Sequence, residues 1–124
     1  MALTGIDHVQ LAAPPGSEDE ARQFFGELLG LAEIEKPKGL RSRGGVWFAV
    51  GDRQLHIGIE AEFSPAGKAH PALLAARGTL LELAERLITH GSEVTWDHAI
   101  PDTPRFYVAD PWGNRIEIVE SPQP

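Results

Sequence analysis

The stretch Phe106-Tyr-Val-Ala-Asp-Pro-Trp-Gly-Asn-Arg-Ile-Glu-Ile118 predicts two strands joined by a tight turn. Its centre, Asp110-Pro-Trp-Gly113, holds residue types that favour turns. In the second strand Glu117 lies between Ile116 and Ile118, and neighbouring residues of a strand point to opposite faces. We therefore expect Glu117 on the polar face of a strand whose other face is apolar.

The first half of the chain contains a similar stretch. Trp47–Ile57 aligns with Phe106–Ile118, so that Trp47 falls on Phe106 and His56 falls on Glu117. Like Glu117, His56 is flanked by apolar residues, Leu55 and Ile57. The alignment predicts that His56 and Glu117 occupy equivalent positions in two related hairpins.

A second match lies upstream of each hairpin. Asp7–Ala13 aligns with Ala69–Ala75, which places His8 on His70. Each of these histidines also lies opposite apolar residues of its predicted strand. The matched ionisable residues are 48 positions apart in the first half and 47 in the second. An internal repeat with two ionisable positions in each copy follows from this spacing.

Both halves predict the order strand, helix and three strands, which indicates an α+β fold of two tandem βαβββ modules. We expect a cupped mixed sheet with the helices on its outer face. A single domain, 1–124, would consist of module one at about 3–60, a linker at 61–68 and module two at about 69–120. The predicted strands cover 3–13, 31–35, 46–50, 53–60, 69–75, 93–96, 105–109 and 114–120, and the helices, the first with Ser17 as N-cap, cover 18–29 and 79–90.

Four ionisable side chains share the polar face in this arrangement: His8, His56, His70 and Glu117. Three imidazoles and a carboxylate suit one divalent metal ion of the series Fe, Mn, Ni, Co and Zn. The alternative is that each histidine is an ordinary hydrogen-bonded strand residue and that Glu117 merely faces water. Their equivalence in the two halves favours the metal.

These features resemble the vicinal oxygen chelate superfamily, which includes glyoxalase I, bleomycin-resistance proteins, fosfomycin-modifying enzymes and extradiol dioxygenases. The resemblance covers residues 3–120, and the stretch 106–118 is its most specific part. The other matching pieces are Gly5-Ile-Asp-His-Val9, Phe24-Phe25, Leu29-Gly30-Leu31, Gln54-Leu-His-Ile57 and Ala69-His70.

The resemblance implies that each module forms half of a cup around a metal, with ligands on its first and last strands. His8, His70 and Glu117 match the two-histidine, one-carboxylate pattern of the metal-bearing members. His56 departs from that pattern. It could be a fourth metal ligand, a catalytic base beside the metal, or a residue that orients a ligand.

The implied function is that of a metal-dependent enzyme of the glyoxalase/dioxygenase type. Such an enzyme, whether a lyase, an isomerase or a ring-cleaving dioxygenase, would act on an oxygen-rich, bidentate small molecule. The alternative is a metal-free protein that binds or sequesters a small molecule, as in the bleomycin-resistance branch. The resemblance also implies a homodimer in which one module of each chain completes each cup.

Composition excludes several other classes. A net charge of −7 argues against nucleic acid and against anionic membrane surfaces as partners. The absence of cysteine excludes disulfides, thiolate metal sites and cysteine nucleophiles. No stretch predicts a membrane span or a signal peptide, so we expect a cytoplasmic protein.

Two sets of residues remain open at this level. The loop 36–43 carries four cations and is either an ordinary solvated loop or an edge that recognises a carboxylate or phosphate. Arg105 and Tyr107 share one face of their strand, but the sequence does not say which face.

Overall fold

The computed structural model describes residues 1–122, which form two compact units, Met1–Ser64 and a second that begins at Pro65. The division falls within 61–68, the stretch predicted as linker. The strands are β1 His8–Ala13, β2 Ala32–Ile34, β3 Val46–Val50, β4 Arg53–Ile59, β5 Ala72–Ala75, β6 Val94–Trp96, β7 Arg105–Ala109 and β8 Arg115–Glu120. The helical segments are α1 Glu18–Ala21, its π-helical continuation Arg22–Leu28, a 3₁₀ helix Lys38–Arg43 and α2 Leu80–Thr89. The predicted α+β class with two tandem βαβββ modules is confirmed.

The first unit contains a four-stranded mixed sheet in the order β1-β4-β3-β2. β1 runs parallel to β4, and the other neighbours are antiparallel. Phe48 on β3 pairs with Leu55 on β4, and both side chains are buried. Phe25 from the helical segment packs on Phe48, with ring centroids 5.8 Å apart. Burial of these apolar side chains holds the helix on one face of the sheet and leaves the other face to polar residues.

The helix of the first unit differs from the prediction at two points. Ser17 is buried and makes no capping hydrogen bond with its side chain. After α1 the helix widens, and the Leu29 N–H donates to the Phe24 carbonyl five residues back, at 3.0 Å. Phe24 and Phe25, although adjacent, are both buried along this wider segment. Gly30, at φ 76°, ends it as the sequence predicts.

The second unit contains a sheet of the same design, β5-β8-β7-β6, in which β5 runs parallel to β8. α2 packs against β6 and β8. The core of this unit is apolar and consists mainly of Leu80, Leu87, Phe106, Val108, Ile116 and Ile118. Within residues 1–122, no helix has the length and apolar character needed to cross a bilayer.

The sheet registers place the ionisable residues at equivalent positions in the two units. The residue two positions after His8 pairs with His56, and the residue two positions after His70 pairs with Glu117. The parallel pairing of β1 with β4 and of β5 with β8 therefore follows the repeat deduced from the sequence.

The alignment of the two hairpins is wrong by one residue on the middle strand. Trp47 pairs with His56 and Tyr107 pairs with Glu117, so Trp47 corresponds to Tyr107 and not to Phe106. A shift of one residue moves a side chain to the opposite face of a sheet. Phe106 accordingly lies in the core, whereas Tyr107 shares the face of Glu117.

Two strands begin later than predicted, because β1 starts at His8 and β5 starts at Ala72. His70 therefore precedes its strand instead of lying within it. Pro71 explains the delay, since proline has no N–H to donate to a sheet ladder. The Pro71 carbonyl still accepts the Glu117 N–H at 3.0 Å, which keeps this segment beside β8.

One carboxylate organises the turn between β7 and β8. Asp110 Oδ1 accepts the backbone N–H groups of Trp112 at 3.1 Å and of Asn114 at 2.8 Å. Asp110 Oδ2 accepts the Asn114 side-chain amide at 2.7 Å. Asp110 is buried, so these bonds are shielded from water and hold the hairpin that carries Glu117.

We predict that Asp110→Ala lowers the free energy of unfolding by about 1–3 kcal/mol, because it leaves buried N–H donors without their acceptor. Asp52→Ala is the matched control, since Asp52 occupies the exposed turn of the other hairpin. Its effect should stay within about 0.5 kcal/mol. Urea denaturation followed by circular dichroism measures both, and equal losses would contradict the role of Asp110.

Candidate functional site

In the first unit three rings form a stack on the polar face of the sheet. The Trp47 indole lies on the His56 imidazole, with centroids 3.6 Å apart and planes 2° from parallel. The His8 ring lies 4.2 Å from that of His56, at 19°. His56 is only 4% exposed, whereas His8, the first residue of β1, is exposed. The strand pairings β1–β4 and β3–β4 bring these residues together.

Hydrogen bonds assign a tautomer to each histidine of this stack. His8 Nδ1 lies 2.9 Å from Asp7 Oδ2, and His56 Nε2 lies 2.8 Å from Gln54 Oε1. Both oxygens can only accept, so both ring nitrogens carry a proton. In the neutral rings the lone pairs are left on His8 Nε2 and on His56 Nδ1.

Burial and neighbouring groups shift the pKa values of two residues at the stack, His56 and Asp7. Burial lowers the pKa of His56 below its usual range, and the neighbouring His8 lowers it further. The hydrogen bond from His8 lowers the pKa of Asp7. His56 is therefore held in its neutral form beside a carboxylate that stays ionised.

In the second unit an imidazole faces a carboxylate. His70 Nδ1 donates to the Lys68 carbonyl at 2.8 Å, and His70 Nε2 lies 3.1 Å from Glu117 Oε1. In the neutral ring Nε2 carries a lone pair that points at another lone pair. Such a contact is favourable only with a proton or another cation between the two atoms, so His70 and Glu117 have the chemistry of a cation-binding pair.

The second oxygen of this carboxylate is held by a different partner. Arg105 Nη1 donates to Glu117 Oε2 at 3.0 Å, and Arg105 Nη2 forms an ion pair with Asp97 at 3.2 Å. Burial alone would raise the pKa of Glu117, but hydrogen bonds from Arg105, His70 and Tyr107 outweigh it and lower the pKa. Arg105 thus binds Oε2 of an ionised carboxylate whose Oε1 faces His70.

The structure brings the four predicted site residues together as two pairs, one in each unit. Among residues 1–122, no group of three or more His, Cys, Asp or Glu side chains lies close enough together to hold a metal ion. The donors nevertheless suit a divalent metal. His8 and His70 each direct one ring N–H at an oxygen acceptor, which is the usual arrangement of a metal-bound histidine, and the second nitrogen of His70 faces the Glu117 carboxylate.

Sequence reasoning did not include Trp47, Gln54 or Asp97 in the candidate site, and it left the role of Arg105 open. Trp47 and Gln54 share the period-two pattern with His56, and that pattern could have identified them. Arg105 and Tyr107 lie on the same face of β7. Because Tyr107 pairs with Glu117, this is the face that carries Glu117. Asp97 has no local signal, because its contact with Arg105 depends on how β6 and β7 are joined.

Two tandem βαβββ modules with an ionisable pair at matching positions define a recognisable class. The chain belongs to the Glyoxalase/Bleomycin resistance protein/Dioxygenase superfamily, whose sequence model matches residues 5–118. Comparison with the curated proteins finds no match.

Solved structures of relatives agree with this assignment. A protein of the glyoxalase family from Bacillus anthracis is 52% identical, with a TM-score of 0.91 and 98% of each chain covered. Lactoylglutathione lyase from Agrobacterium tumefaciens is 20% identical, with a TM-score of 0.71 over 98% of this chain and 96% of that one. A mutant of the fosfomycin resistance protein FosX from Listeria monocytogenes, complexed with Mn(II) and 1S,2S-dihydroxypropylphosphonic acid, is 16% identical, with a TM-score of 0.78 over 96% and 93%.

We predict that Arg105→Gln raises the pKa of Glu117, because burial of the carboxyl group is then opposed by fewer hydrogen bonds. Because the pKa of Glu117 is lowered in the folded protein, its ionised form stabilises the fold at pH values above the ordinary pKa of 4.5. That stability is lost as the pH falls through the lowered pKa. The variant should lose this acid-dependent part of the unfolding free energy. Titration of the Glu117 carboxyl carbon by NMR measures the pKa directly.

Arg115→Gln is the control for this titration. Arg115 lies over the Tyr107 ring, 3.9 Å from its centroid, but donates no hydrogen bond to Glu117 among the bonds of the described residues. An unchanged pKa of Glu117 in Arg105→Gln, or an equal rise in both variants, would contradict the role of Arg105.

Proposed function

We propose that this protein is a divalent-metal-dependent enzyme that acts on an oxygen-rich, bidentate small molecule. His8, His70 and Glu117 would hold one ion of the series Fe, Mn, Ni, Co and Zn. The observation that carries the proposal is the 3.1 Å contact of His70 Nε2 with Glu117 Oε1, where an imidazole nitrogen and a carboxylate oxygen face each other and a proton or a metal ion can lie between them. The cytoplasmic location expected from the sequence stays a prediction.

A homodimer is part of this proposal. Each unit supplies only two of the four candidate residues, so a complete site needs one unit of each kind. The family resemblance implies that the two units come from different chains, with one module of each chain completing each cup. We adopt that arrangement here, and it also gives the assembly the twofold symmetry that is usual for small homodimers.

For His56 the stacking favours the role of catalytic base over that of fourth ligand. The lone pair of an imidazole nitrogen lies in the plane of its ring. The His8 and His56 rings are stacked nearly parallel, with centroids 4.2 Å apart, so their lone pairs would not converge on one ion. His8 is the more exposed of the two rings and has Nε2 free, which favours His8 as the ligand.

The residues of the chain would then divide the chemistry between them. The bound metal would polarise an oxygen of the substrate and make a neighbouring C–H or O–H group more acidic. His56 Nδ1 would accept that proton, because Gln54 keeps the proton of the neutral ring on Nε2. Trp47 covers one face of His56 and holds the base in a fixed orientation. Arg105 would keep Glu117 ionised and bound through one oxygen.

The proposal predicts stoichiometric binding of at least one metal of the series to protein stripped of metal. His8→Ala and Glu117→Gln should each weaken binding by more than about 100-fold, which exceeds the usual loss of a residue that only orients a ligand. His98→Ala is the control, since His98 is exposed and lies in a loop. Calorimetric titration measures affinity, and circular dichroism confirms that the variants fold.

His56→Gln separates the two roles of this residue in the same titration. If His56 is a base, His56→Gln should leave the metal affinity almost unchanged. If His56→Gln lowers the metal affinity as much as His8→Ala does, His56 is a ligand. If the native protein binds no metal of the series, the proposed function is wrong. A metal-free binding protein of the bleomycin-resistance type would then account for the fold.

A further inference from the structure

Two cavities lie beside the 3₁₀ helix of the first unit, and their charges differ. The first, of about 190 Å³, is lined by three cations and two acids. Its charges are largely neutralised by ion pairs, because Arg22 binds Glu33 at 2.9 Å and Arg41 binds Glu35. The third cation, Lys36, also lines the second cavity, so the first cavity has no unpaired cation of its own.

The second cavity, of about 170 Å³, has Lys36 and Arg43 in its lining and no acid. Among residues 1–122 the Arg43 side chain has neither a hydrogen bond nor an ion pair. Lys36 Nζ donates to the Gly44 carbonyl, which uses one of its three N–H groups. The nearby Glu18 carboxylate does not line the cavity, and its Oε2 accepts the Gly45 N–H at 2.9 Å. Two positive charges with spare donors therefore border one small cavity.

This cavity lies next to the histidine stack of the same unit. Trp47, which lines it, is the indole that covers His56. Gln10 and Gly58 also line it, and Gln10 is the β1 partner of His56. Gly58 follows His56 by two residues on β4, a distance of about 7 Å along the same face. A group bound in the cavity would thus be within one small molecule's length of the proposed base.

Gly58 leaves room for the Gln10 side chain beside the cavity. A Cβ atom at this position would lie 2.6 Å from Nε2 of Gln10, so the flexible end of that side chain would have to shift. The missing side chain lets the Gln10 amide lie across β4 and line the cavity. The floor therefore offers a neutral amide and an indole face, while the charges lie at Lys36 and Arg43.

We propose that this cavity binds the anionic group of the substrate, a carboxylate or a phosphate-type group, through Lys36 and Arg43. The inference rests on the proposed function, because it places the anionic end of the substrate beside His56. It also assigns a role to the loop 36–43, which the sequence alone leaves open. Guanidinium and ammonium donors form charge-assisted hydrogen bonds with both kinds of anion.

The test uses the metal-free, full-length protein at low ionic strength, because salt screens such contacts. Inorganic phosphate and acetate are titrated separately into the millimolar range. The Trp47 indole N–H and the Gln10 side-chain amide serve as NMR probes inside the cavity. We expect saturable shifts of both probes, and a tighter response to phosphate would indicate a phosphate-type group rather than a carboxylate.

Arg43→Gln should weaken binding of the preferred anion by about tenfold or more, as loss of one charge-assisted contact does. Lys36→Gln should do the same, and Lys38→Gln is the matched control. Lys38 lies in the same 3₁₀ helix but lines neither cavity. None of these residues is a proposed metal ligand, so metal affinity should be unchanged in all three variants.

The proposal is overturned if neither anion shifts the probes, or if Arg43→Gln and Lys38→Gln bind the anion equally well. Either result leaves the metal titration of the native protein unaffected. Conversely, anion binding that depends on Arg43 in a protein that takes up no metal would retain the subsite and refute the metal enzyme. The two proposals can thus fail separately.

Discussion

The parallel pairing of the first and last strands of each module is the constraint on which the rest depends. In each module the first strand lies beside the last one, β1 beside β4 and β5 beside β8, and the two middle strands follow on the far side of the last strand. The helices then cover the face that carries Phe48 and Ile118, because only that face is apolar. The opposite face is left for ionisable side chains, and the register sets which of them meet. Fold and candidate site thus have one cause.

The contacts on the polar face hold reactive groups in one state. Gln54 assigns the tautomer of His56, Lys68 assigns that of His70, and Arg105 keeps Glu117 ionised. A side chain that is hydrogen-bonded in this way has few rotamers available. Little reorganisation of these side chains is therefore needed when a ligand binds. The cavity at Arg43 adds a local excess of positive charge to a chain whose net charge is −7. An anion would therefore be drawn to this one region rather than to the surface at large.

Sequence patterns were sufficient for the two modules and for the equivalent placement of one ionisable pair in each, because both follow from the repeat. They were insufficient for the middle strands. Trp47-Phe48 and Phe106-Tyr107 are both pairs of adjacent aromatic residues. The two sequences can therefore be aligned in two registers that differ by one residue. The pairing of each middle strand with the next strand of its hairpin decides between them. The π-helical turns and the Asp97 contact likewise depend on packing between elements that no local pattern encodes.

In the proposed homodimer one metal site would combine His8 of one module with His70 and Glu117 of the other module, supplied by a second chain. Co-expression of a His8→Ala chain and a Glu117→Gln chain with different tags yields a mixed dimer that can be isolated. In a shared arrangement one site of this dimer carries both substitutions and the other carries neither. We expect the mixed dimer to bind half as much metal as the native dimer, with native affinity. A mixed dimer that binds no more metal than either variant alone would contradict it.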